Sequence, residues 1–323
     1  PEIMPDEPQP TKNPPPSPSP LPTSTAPQPT RKELNRFDAD DRRIRYNGRF
    51  DFQDPKAPAF DWSATGIEFN FTGTSLAILL QDGRNSYNVI VDGRRQVLET
   101  EMGVEEYLVA EKLGSGVHHF ILSKRTEAYV GAAQFKGLEI SWGELQEPPD
   151  AAGRLIEFIG DSITTGYVNE GESPDCWFTP ATQNADKSYA AMTAQELDAA
   201  YTLIALSGLG VIRNLRAEDA VSAETAIDFI DRALGLNPFV SWPADRLIPD
   251  AVVINLGTND YSSIPFPDDE AFIGAYVELL DVVRTRYPEA HIFAVAGPLM
   301  LGPAPRVIET AVERYRVSNN DDR

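Results

Sequence analysis

Three short polar segments of this chain carry the residue types that acyl transfer needs. Each follows an apolar run, and the three are Gly160-Asp161-Ser162, Ser207-Gly208-Leu209-Gly210 and Gly257-Thr258-Asn259-Asp260. A serine hydroxyl is a potential nucleophile, while a bare backbone N–H and a side-chain amide are donors that stabilise the oxyanion formed by its attack. The segments therefore indicate transfer or hydrolysis of an acyl group.

Each segment also has a simpler structural explanation. Ser162 would suit the cap of a following helix, Gly208 a turn, and Asn259 a hydrogen bond that braces its own loop. Three such segments at the ends of successive predicted strands are not independent coincidences. The sequence therefore favours the chemical explanation.

The elements that must position these segments are apolar strands alternating with amphipathic helices. Strands are predicted over residues 154–159, 201–206, 251–256 and 291–296. One helix is predicted to begin at Ser188, with Tyr189, Met192 and Leu197 on one face, and another runs from Asp268 to Pro288. This alternation predicts an α/β domain over residues 150–323, with a central parallel sheet covered on both faces. The three polar segments would meet at the carboxyl edge of that sheet, where ligands bind.

A different pattern precedes this domain, from residue 34 to residue 146. Short alternating strands are predicted at 67–71, 76–80, 87–91, 118–122 and 135–140, and Asp92-Gly93 is a hairpin signal. Many strands without a convincing helix predict an all-β sandwich of the jelly-roll type. Its aromatic residues would bind sugar if exposed, but Trp62 and Trp142 are predicted to lie in the core.

Residues 1–33 are rich in proline, serine and threonine, and they are predicted to be a disordered linker. Such a segment serves as a spacer toward a membrane anchor or cell wall, or as a plain linker between domains. Residues 147–150, with two prolines, join the sandwich to the α/β domain. The chain begins at Pro1 without a signal segment, so any targeting segment is expected to have been removed or left out.

The composition of the 323 residues restricts the classes of function. The formal net charge of −21 argues against nucleic acid as a partner, because phosphates need Lys and Arg. The acidity fits a secreted or cell-surface protein, and no apolar run is long enough to span a bilayer. One cysteine, Cys176, allows no internal disulfide and no zinc framework, and no metal or cofactor is predicted.

The three polar segments resemble the motif blocks of the SGNH (GDSL-type) hydrolases, which have a flavodoxin-like α/β fold. By this resemblance Ser162 is the nucleophile. The oxyanion hole is then formed by the Ser162 N–H, the Gly208 N–H and the Asn259 amide, with Gly210 as the alternative to Gly208. Asp161 and Asp260 complete the first and third blocks as supporting residues.

The preceding β-domain restricts the resemblance to one family of these hydrolases. Arg45-Tyr46-Asn47-Gly48-Arg49, the region of Trp62 and Val91-Asp92-Gly93 are similar to the jelly-roll partner of carbohydrate esterase family 2. The likeness extends over about residues 36–316. It implies removal of acetyl groups from plant polysaccharides such as xylan and glucomannan, or from their oligosaccharides, without a cofactor. Members of this family often use a Ser–His dyad in which a backbone carbonyl orients the histidine.

One departure from the family pattern concerns the base. The family carries a Gly-x-x-His-Pro-like block near the C-terminus, whereas the histidines here are His118, His119 and His291. We expect that the chain is cut before its last strand and histidine loop. The lone Cys176 agrees, because family members often carry a second cysteine beside that histidine; the alternative for Cys176 is an ordinary buried thiol.

Two other functions compete with that of the esterase. A natural loss of the base would leave a carbohydrate-binding protein on the same scaffold. A lipase-like SGNH enzyme is less favoured, because the sequence shows no apolar flap or exposed amphipathic helix. If no base lies within reach of Ser162, this chain is expected to hydrolyse even an activated acetyl ester slowly.

Overall fold

The structure is a computed structural model that describes residues 34–297, 299–300 and 302–323. The predicted linker, residues 1–33, lies outside the described residues. The described part forms a β-sandwich followed by an α/β domain, the order that the sequence predicts. Each helix in this part is too short or too polar to span a bilayer.

The sandwich consists of a five-stranded and a six-stranded antiparallel sheet. Its strands are β1 (Leu34–Phe37), β2 (Arg45–Asn47), β3 (Ala59–Phe60), β4 (Gly66–Thr72), β5 (Ser75–Gly83), β6 (Ser86–Val91), β7 (Arg94–Glu99), β8 (Met102–Glu111), β9 (Val117–Lys124), β10 (Ala133–Ser141) and β11 (Leu145–Gln146). Alternate residues of β4, namely Ile67, Phe69 and Phe71, are fully buried between the sheets. This alternation is what a strand with one face on a core requires.

The strand order identifies the sandwich as a jelly roll. One sheet has the order β1-β10-β5-β8 with β3 beside β10, and the other has the order β11-β4-β9-β6-β7 with β2 beside β4. From β4 to β10 the chain alternates between the sheets, except at the β6–β7 hairpin, as jelly-roll connections do. The turn of that hairpin is formed by Asp92 and Gly93, both with positive φ. The predicted jelly roll and its hairpin signal are confirmed.

The α/β domain is built around a parallel four-stranded sheet with the order β13-β12-β16-β17. The strands of the domain are β12 (Leu155–Gly160), β13 (Ala200–Ala205), β14 (Arg232–Leu234), β15 (Asn237–Ser241), β16 (Ala251–Asn255) and β17 (His291–Ala294), and its helices are α1 (Ser162–Thr165), α2 (Tyr189–Glu196), α3 (Ala226–Phe229), α4 (Asp269–Arg286) and α5 (Ala304–Asn319). The predicted parallel sheet is confirmed. Strands β14 and β15 form a separate hairpin.

The central strand β12 is buried on both faces because apolar layers cover the sheet from each side. Phe158 packs with Ala190 and Ala194 of α2, whereas Ile159 joins the core under α4 and α5. Helix α4 begins where the sequence predicts, since the side chain of Asp268 accepts the backbone N–H of Ala271 at 3.0 Å. The order of the sheet places a topological switch point between β12 and β16.

The two domains share buried contacts. Trp62 of the sandwich is fully buried and packs with the α/β core, its ring 6.4 Å from that of Phe229. Arg49 of the sandwich pairs with Glu157 of β12 at 2.9 Å, and both side chains are almost entirely inaccessible to solvent. The joint at residues 147–150 is held by Arg45, which donates to the backbone carbonyl of Asp150 at 3.1 Å.

The predicted burial of Trp142 is wrong. Trp142 is 62% exposed, at the end of β10, and therefore does not belong to the core. On α2 the buried residues are alanines, whereas two members of the face grouped from the sequence, Met192 and the C-capping Leu197, are exposed. Helix α2 lies close against the sheet, and small side chains permit this approach.

Candidate active site

Ser162 lies at the switch point, directly after the carboxyl end of β12. Asp161 caps helix α1, because its Oδ1 accepts the N–H of Ile163 at 2.9 Å. Ser162 is half-buried, and its hydroxyl makes no hydrogen bond to another described residue. Its backbone N–H belongs to the first turn of α1, where no intrahelical acceptor exists. The serine thus offers a free hydroxyl and a free backbone donor at the same point.

Gly208 offers a second free backbone donor. Its φ of +84° lies in the left-handed region, which glycine adopts without strain. Its carbonyl accepts the N–H of Leu215 at 2.8 Å, whereas its own N–H has no acceptor among the described residues. The N–H of Gly210, the alternative donor, is bonded to Asn214 Oδ1 at 2.9 Å. Of these two glycines, only Gly208 has an N–H available to a ligand in this conformation.

Asn259 lies between the loops that carry Ser162 and Gly208. Its Nδ2 donates to Asp161 Oδ2 at 3.1 Å and to the carbonyl of Leu209 at 2.8 Å. Asn259 is buried, and both hydrogens of its amide are used by these bonds. The side chain therefore holds the two loops together, and one bond must be released before the amide can donate to an oxyanion.

Asp260 shapes the loop that follows Gly208. Its carboxylate accepts the backbone N–H groups of Val211, Ile212 and Arg213 at 3.0, 2.8 and 2.9 Å. Burial raises the pKa of Asp260, and these three N–H groups oppose the rise. The side chain serves as an acceptor for backbone donors and fixes the loop that carries the glycine donor.

Arg213 belongs to the same network, and sequence reasoning missed it. Its guanidinium donates to the carbonyls of Asp260 at 3.0 Å and Pro265 at 2.7 Å, and the residue is buried. The available signal was a lone arginine directly after the apolar residues Val211 and Ile212. A buried guanidinium needs several acceptors, and here backbone carbonyls supply them.

The carboxyl of Asp161 has a pKa raised to about 7. Burial is the main cause, and the negative charge of Asp260 adds to it. The N–H of Ile163 opposes the rise by favouring the ionised form. Asp161 therefore changes charge near neutral pH, directly beside Ser162.

Asp161→Asn is expected to change how stability depends on pH. A carboxyl whose pKa is raised in the folded state stabilises the fold below its unfolded pKa, and this contribution is lost as the pH rises through the folded pKa. The Asp161 pKa is near 4 in the unfolded chain and about 7 in the folded protein. Between pH 4 and pH 7 the free energy of unfolding of wild type should therefore fall by about 3 kcal/mol relative to that of the variant. Denaturant unfolding of both proteins across this range measures the difference. A parallel pH dependence of the two proteins would contradict the raised pKa.

Two of the three histidines belong to the sandwich and have partners there. His118 Nδ1 bonds to Asp92 Oδ2 at 2.7 Å, and His119 Nε2 bonds to Glu68 Oε1 at 2.8 Å. Both residues lie on β9. Neither forms a hydrogen bond with Ser162.

The third histidine lies at the opposite edge of the α/β sheet. His291 opens β17 and is in register with Ala251, which is in register with Ile156 at the amino end of β12. Ser162 follows the carboxyl end of that strand, so the two edges are about 20 Å apart at a rise of roughly 3.3 Å per residue. Among the described residues no histidine forms a hydrogen bond with Ser162 in this conformation, and His291 lies at the opposite edge of the sheet.

A parallel α/β sheet with Gly-Asp-Ser at its switch point, and glycine and asparagine on the neighbouring loops, defines a hydrolase fold of the GDSL type. Residues 158–321 match the GDSL-like lipase/acylhydrolase family, and residues 46–149 match the carbohydrate esterase 2 N-terminal domain. The structure of a family two carbohydrate esterase from Clostridium thermocellum, in complex with cellohexaose, superposes with a TM-score of 0.80 at 39% identity, covering 86% of this chain and 84% of that one. The chain belongs to carbohydrate esterase family 2.

Two curated relatives agree with this assignment. Cellulase/esterase CelE of Acetivibrio thermocellus is 40% identical over 269 residues, which are 82% of this chain and 32% of CelE. An acetylxylan esterase / glucomannan deacetylase of Cellvibrio japonicus is 32% identical over 217 residues, which are 65% of this chain and 58% of that protein. The chain thus spans about a third of the length of CelE and somewhat more than half of the second relative.

Proposed function

We propose that this chain is a carbohydrate esterase that removes O-acetyl groups from plant-type polysaccharides, xylan or glucomannan, or from their oligosaccharides. The observation that carries the proposal is the switch point, where the Ser162 hydroxyl and the Gly208 N–H have no hydrogen-bond partner among the described residues. The names of the curated relatives, which include an acetylxylan esterase / glucomannan deacetylase, support the substrate class.

In the proposed reaction Ser162 Oγ attacks the acetyl carbonyl carbon, and the carbonyl oxygen becomes an oxyanion. The N–H groups of Ser162 and Gly208 stabilise this charge, and the sugar hydroxyl leaves as the tetrahedral intermediate collapses. Water then attacks the acetyl-serine, releases acetate and restores the hydroxyl. Both steps need a group that takes the attacking proton and returns it to the leaving oxygen.

The position of the histidines favours a second candidate function. None of the three bonds to Ser162, and two are engaged inside the sandwich. A serine without a base is a poor nucleophile, since the base usually supplies much of the rate. The second candidate is therefore a protein that binds acetylated polysaccharide on this scaffold without turning it over.

Acetate release and polysaccharide binding, measured on the same preparation, separate the two candidates. Acetylated xylan and acetylated glucomannan are incubated with the protein, and acetate is quantified over time. Retardation in gels that contain the same polysaccharides measures binding. Serine-dependent acetate release supports the esterase, whereas retardation without acetate release supports the binding protein. If the protein neither releases acetate nor is retarded in the gels, both candidate functions are overturned.

Polysaccharides of this kind lie outside the cell, so the proposed function implies a secreted or cell-surface protein. The proline-rich residues 1–33 would then separate the catalytic domains from a surface or membrane attachment. Fractionation of the producing cells, with an antibody against the described domains, tests this location. Recovery in the cytoplasmic fraction alone would contradict it.

Asn259→Ala is expected to lower turnover about 100-fold if the amide donates to the oxyanion, because such a donor acts mainly in the transition state. If Asn259 only holds the loops of Asp161 and Leu209 together, the substitution lowers the melting temperature and leaves the rate per folded molecule nearly unchanged. Turnover and thermal unfolding are measured on one preparation. A stable and normally active variant would remove Asn259 from both roles.

A further inference from the structure

The β-sandwich contacts the loop of Gly208 through the carboxylate of Glu127. This residue lies in the sandwich segment that follows β9, and it is only 2% exposed. One carboxylate oxygen accepts the backbone N–H of Ser207, and the other accepts the Ser207 hydroxyl, both at 2.7 Å. Ser207 directly precedes Gly208. Two bonds from the other domain therefore fix the residue on which the orientation of the Gly208 N–H depends.

The backbone of Glu127 is also tied to the helix that begins at Ser162. Its N–H donates to Gln183 Oε1 at 3.1 Å, and Gln183 Nε2 donates to the carbonyl of Thr165 at 3.3 Å. Thr165 is the last residue of α1. Glu127 is thus linked to both loops that offer a free backbone donor.

Because the Glu127 carboxylate is buried, it depends on its hydrogen bonds to Ser207. A buried charge is costly unless it is hydrogen-bonded. The buried Lys124 donates to the backbone carbonyls of Thr126 and Glu127, at 2.9 and 3.1 Å, and not to the carboxylate. Burial raises the pKa of Glu127, and the bonds from Ser207 oppose the rise. A shift of Ser207 would leave the buried carboxylate without these partners, so the loop resists displacement.

We propose that Glu127 is a positioning residue of the esterase site: it holds Ser207 so that the N–H of Gly208 faces the acyl group attacked by Ser162. The sandwich then supplies part of the geometry of the oxyanion hole. The kinetic consequence rests on the proposed function, whereas the effect on the loop conformation does not.

Glu127→Gln tests the proposal, because the amide keeps the shape of the side chain but turns one of the two acceptors into a donor. We expect the rate at which a fluorophosphonate probe labels Ser162 to fall about tenfold, since bonds to a charged acceptor are the strong ones. In turnover of 4-nitrophenyl acetate, kcat is expected to fall by a similar factor and KM to stay unchanged. Hydrogen–deuterium exchange of residues 203–215 is expected to become faster.

Asp61→Asn is the matched control. Asp61 is another buried carboxylate of the sandwich that accepts two donors from the α/β domain, the N–H groups of Gly235 at 2.8 Å and Leu236 at 3.2 Å. Its substitution disturbs the domain interface without touching Ser207 or Gly208. Labelling of Ser162 and exchange of residues 203–215 are expected to match wild type.

Ser207→Ala is a milder second variant, because it removes the hydroxyl bond to Glu127 and keeps the backbone bond. A loss of labelling rate of roughly threefold is expected, as one of two bonds remains. The positioning role is overturned if Glu127→Gln labels as fast as Asp61→Asn and residues 203–215 exchange as in wild type. If wild type takes up no label and releases no acetate, the proposed function fails instead, and exchange of residues 203–215 alone decides the role of Glu127.

Discussion

Ser162→Ala is expected to abolish covalent labelling by a fluorophosphonate probe and the serine-dependent hydrolysis of acetyl esters. In a serine hydrolase with a complete triad, loss of the nucleophile lowers kcat by on the order of a million-fold. None of the histidines bonds to Ser162 in this conformation, so the wild-type rate is expected to be slow and labelling to be the more sensitive measurement. The label is located by mass spectrometry of the peptide that contains residues 155–170.

Ser115→Ala is a suitable control for this experiment, because Ser115 is an exposed serine in a turn of the sandwich. Its substitution is expected to leave labelling and hydrolysis unchanged. Equal labelling of wild type and Ser162→Ala, or a label on another residue, would show that the nucleophile lies elsewhere. Rapid turnover by wild type would show that a base is present that the hydrogen bonds of this conformation do not reveal.

Arg49→Ala is expected to destabilise the protein by roughly 3–5 kcal/mol, because it leaves the buried Glu157 without its cation. Arg49 also donates to the backbone carbonyls of Ile230 at 2.6 Å and Arg232 at 3.1 Å, and these acceptors would lose their donor as well. The free energy of unfolding in denaturant measures the loss. Arg49→Met combined with Glu157→Gln is expected to recover part of it, since no buried charge is then left unpaired.

The exposed ion pair between Lys56 and Asp38 provides the comparison. Its two side chains are 63% and 64% exposed at a distance of 2.7 Å. Water screens such a pair and the side chains lose entropy in forming it, so Lys56→Ala is expected to change stability little. If Lys56→Ala and Arg49→Ala lower the free energy of unfolding by similar amounts, burial is not what makes the Arg49–Glu157 pair important for stability.

The sequence was sufficient wherever a local pattern determines the structure. Strand β12 and the turn after it were predictable because an apolar run ends in Gly160-Asp161-Ser162, and the β6–β7 hairpin was predictable from Asp92-Gly93. The jelly roll followed from many short strands without helices. In each case the signal lies within a few neighbouring residues.

The features that could not be predicted depend on how closely segments that are remote along the chain approach each other in the fold. Helix α2 buries Ala190 and Ala194 rather than Met192 and Leu197, because how closely a helix approaches its sheet is a tertiary property. Glu127 carries no motif, and its bonds to Ser207 exist only because the jelly roll brings the end of β9 to the α/β domain. The amide of Asn259 bonds to Asp161, and no spacing along the chain foretells this contact.

Trp62 of the sandwich is buried in the core of the α/β domain, and this contact favours inheritance of the two domains together. A recombination event near residues 147–150 would join this sandwich to a foreign α/β domain and would carry Trp62 into a site shaped by other side chains. A Cβ added at Gly235 would lie 3.1 Å from the indole, a tight contact that requires the neighbouring side chains to shift by a few tenths of an ångström. Chimeras spliced at this joint should therefore be selected against, and the two domains should descend as one evolutionary unit.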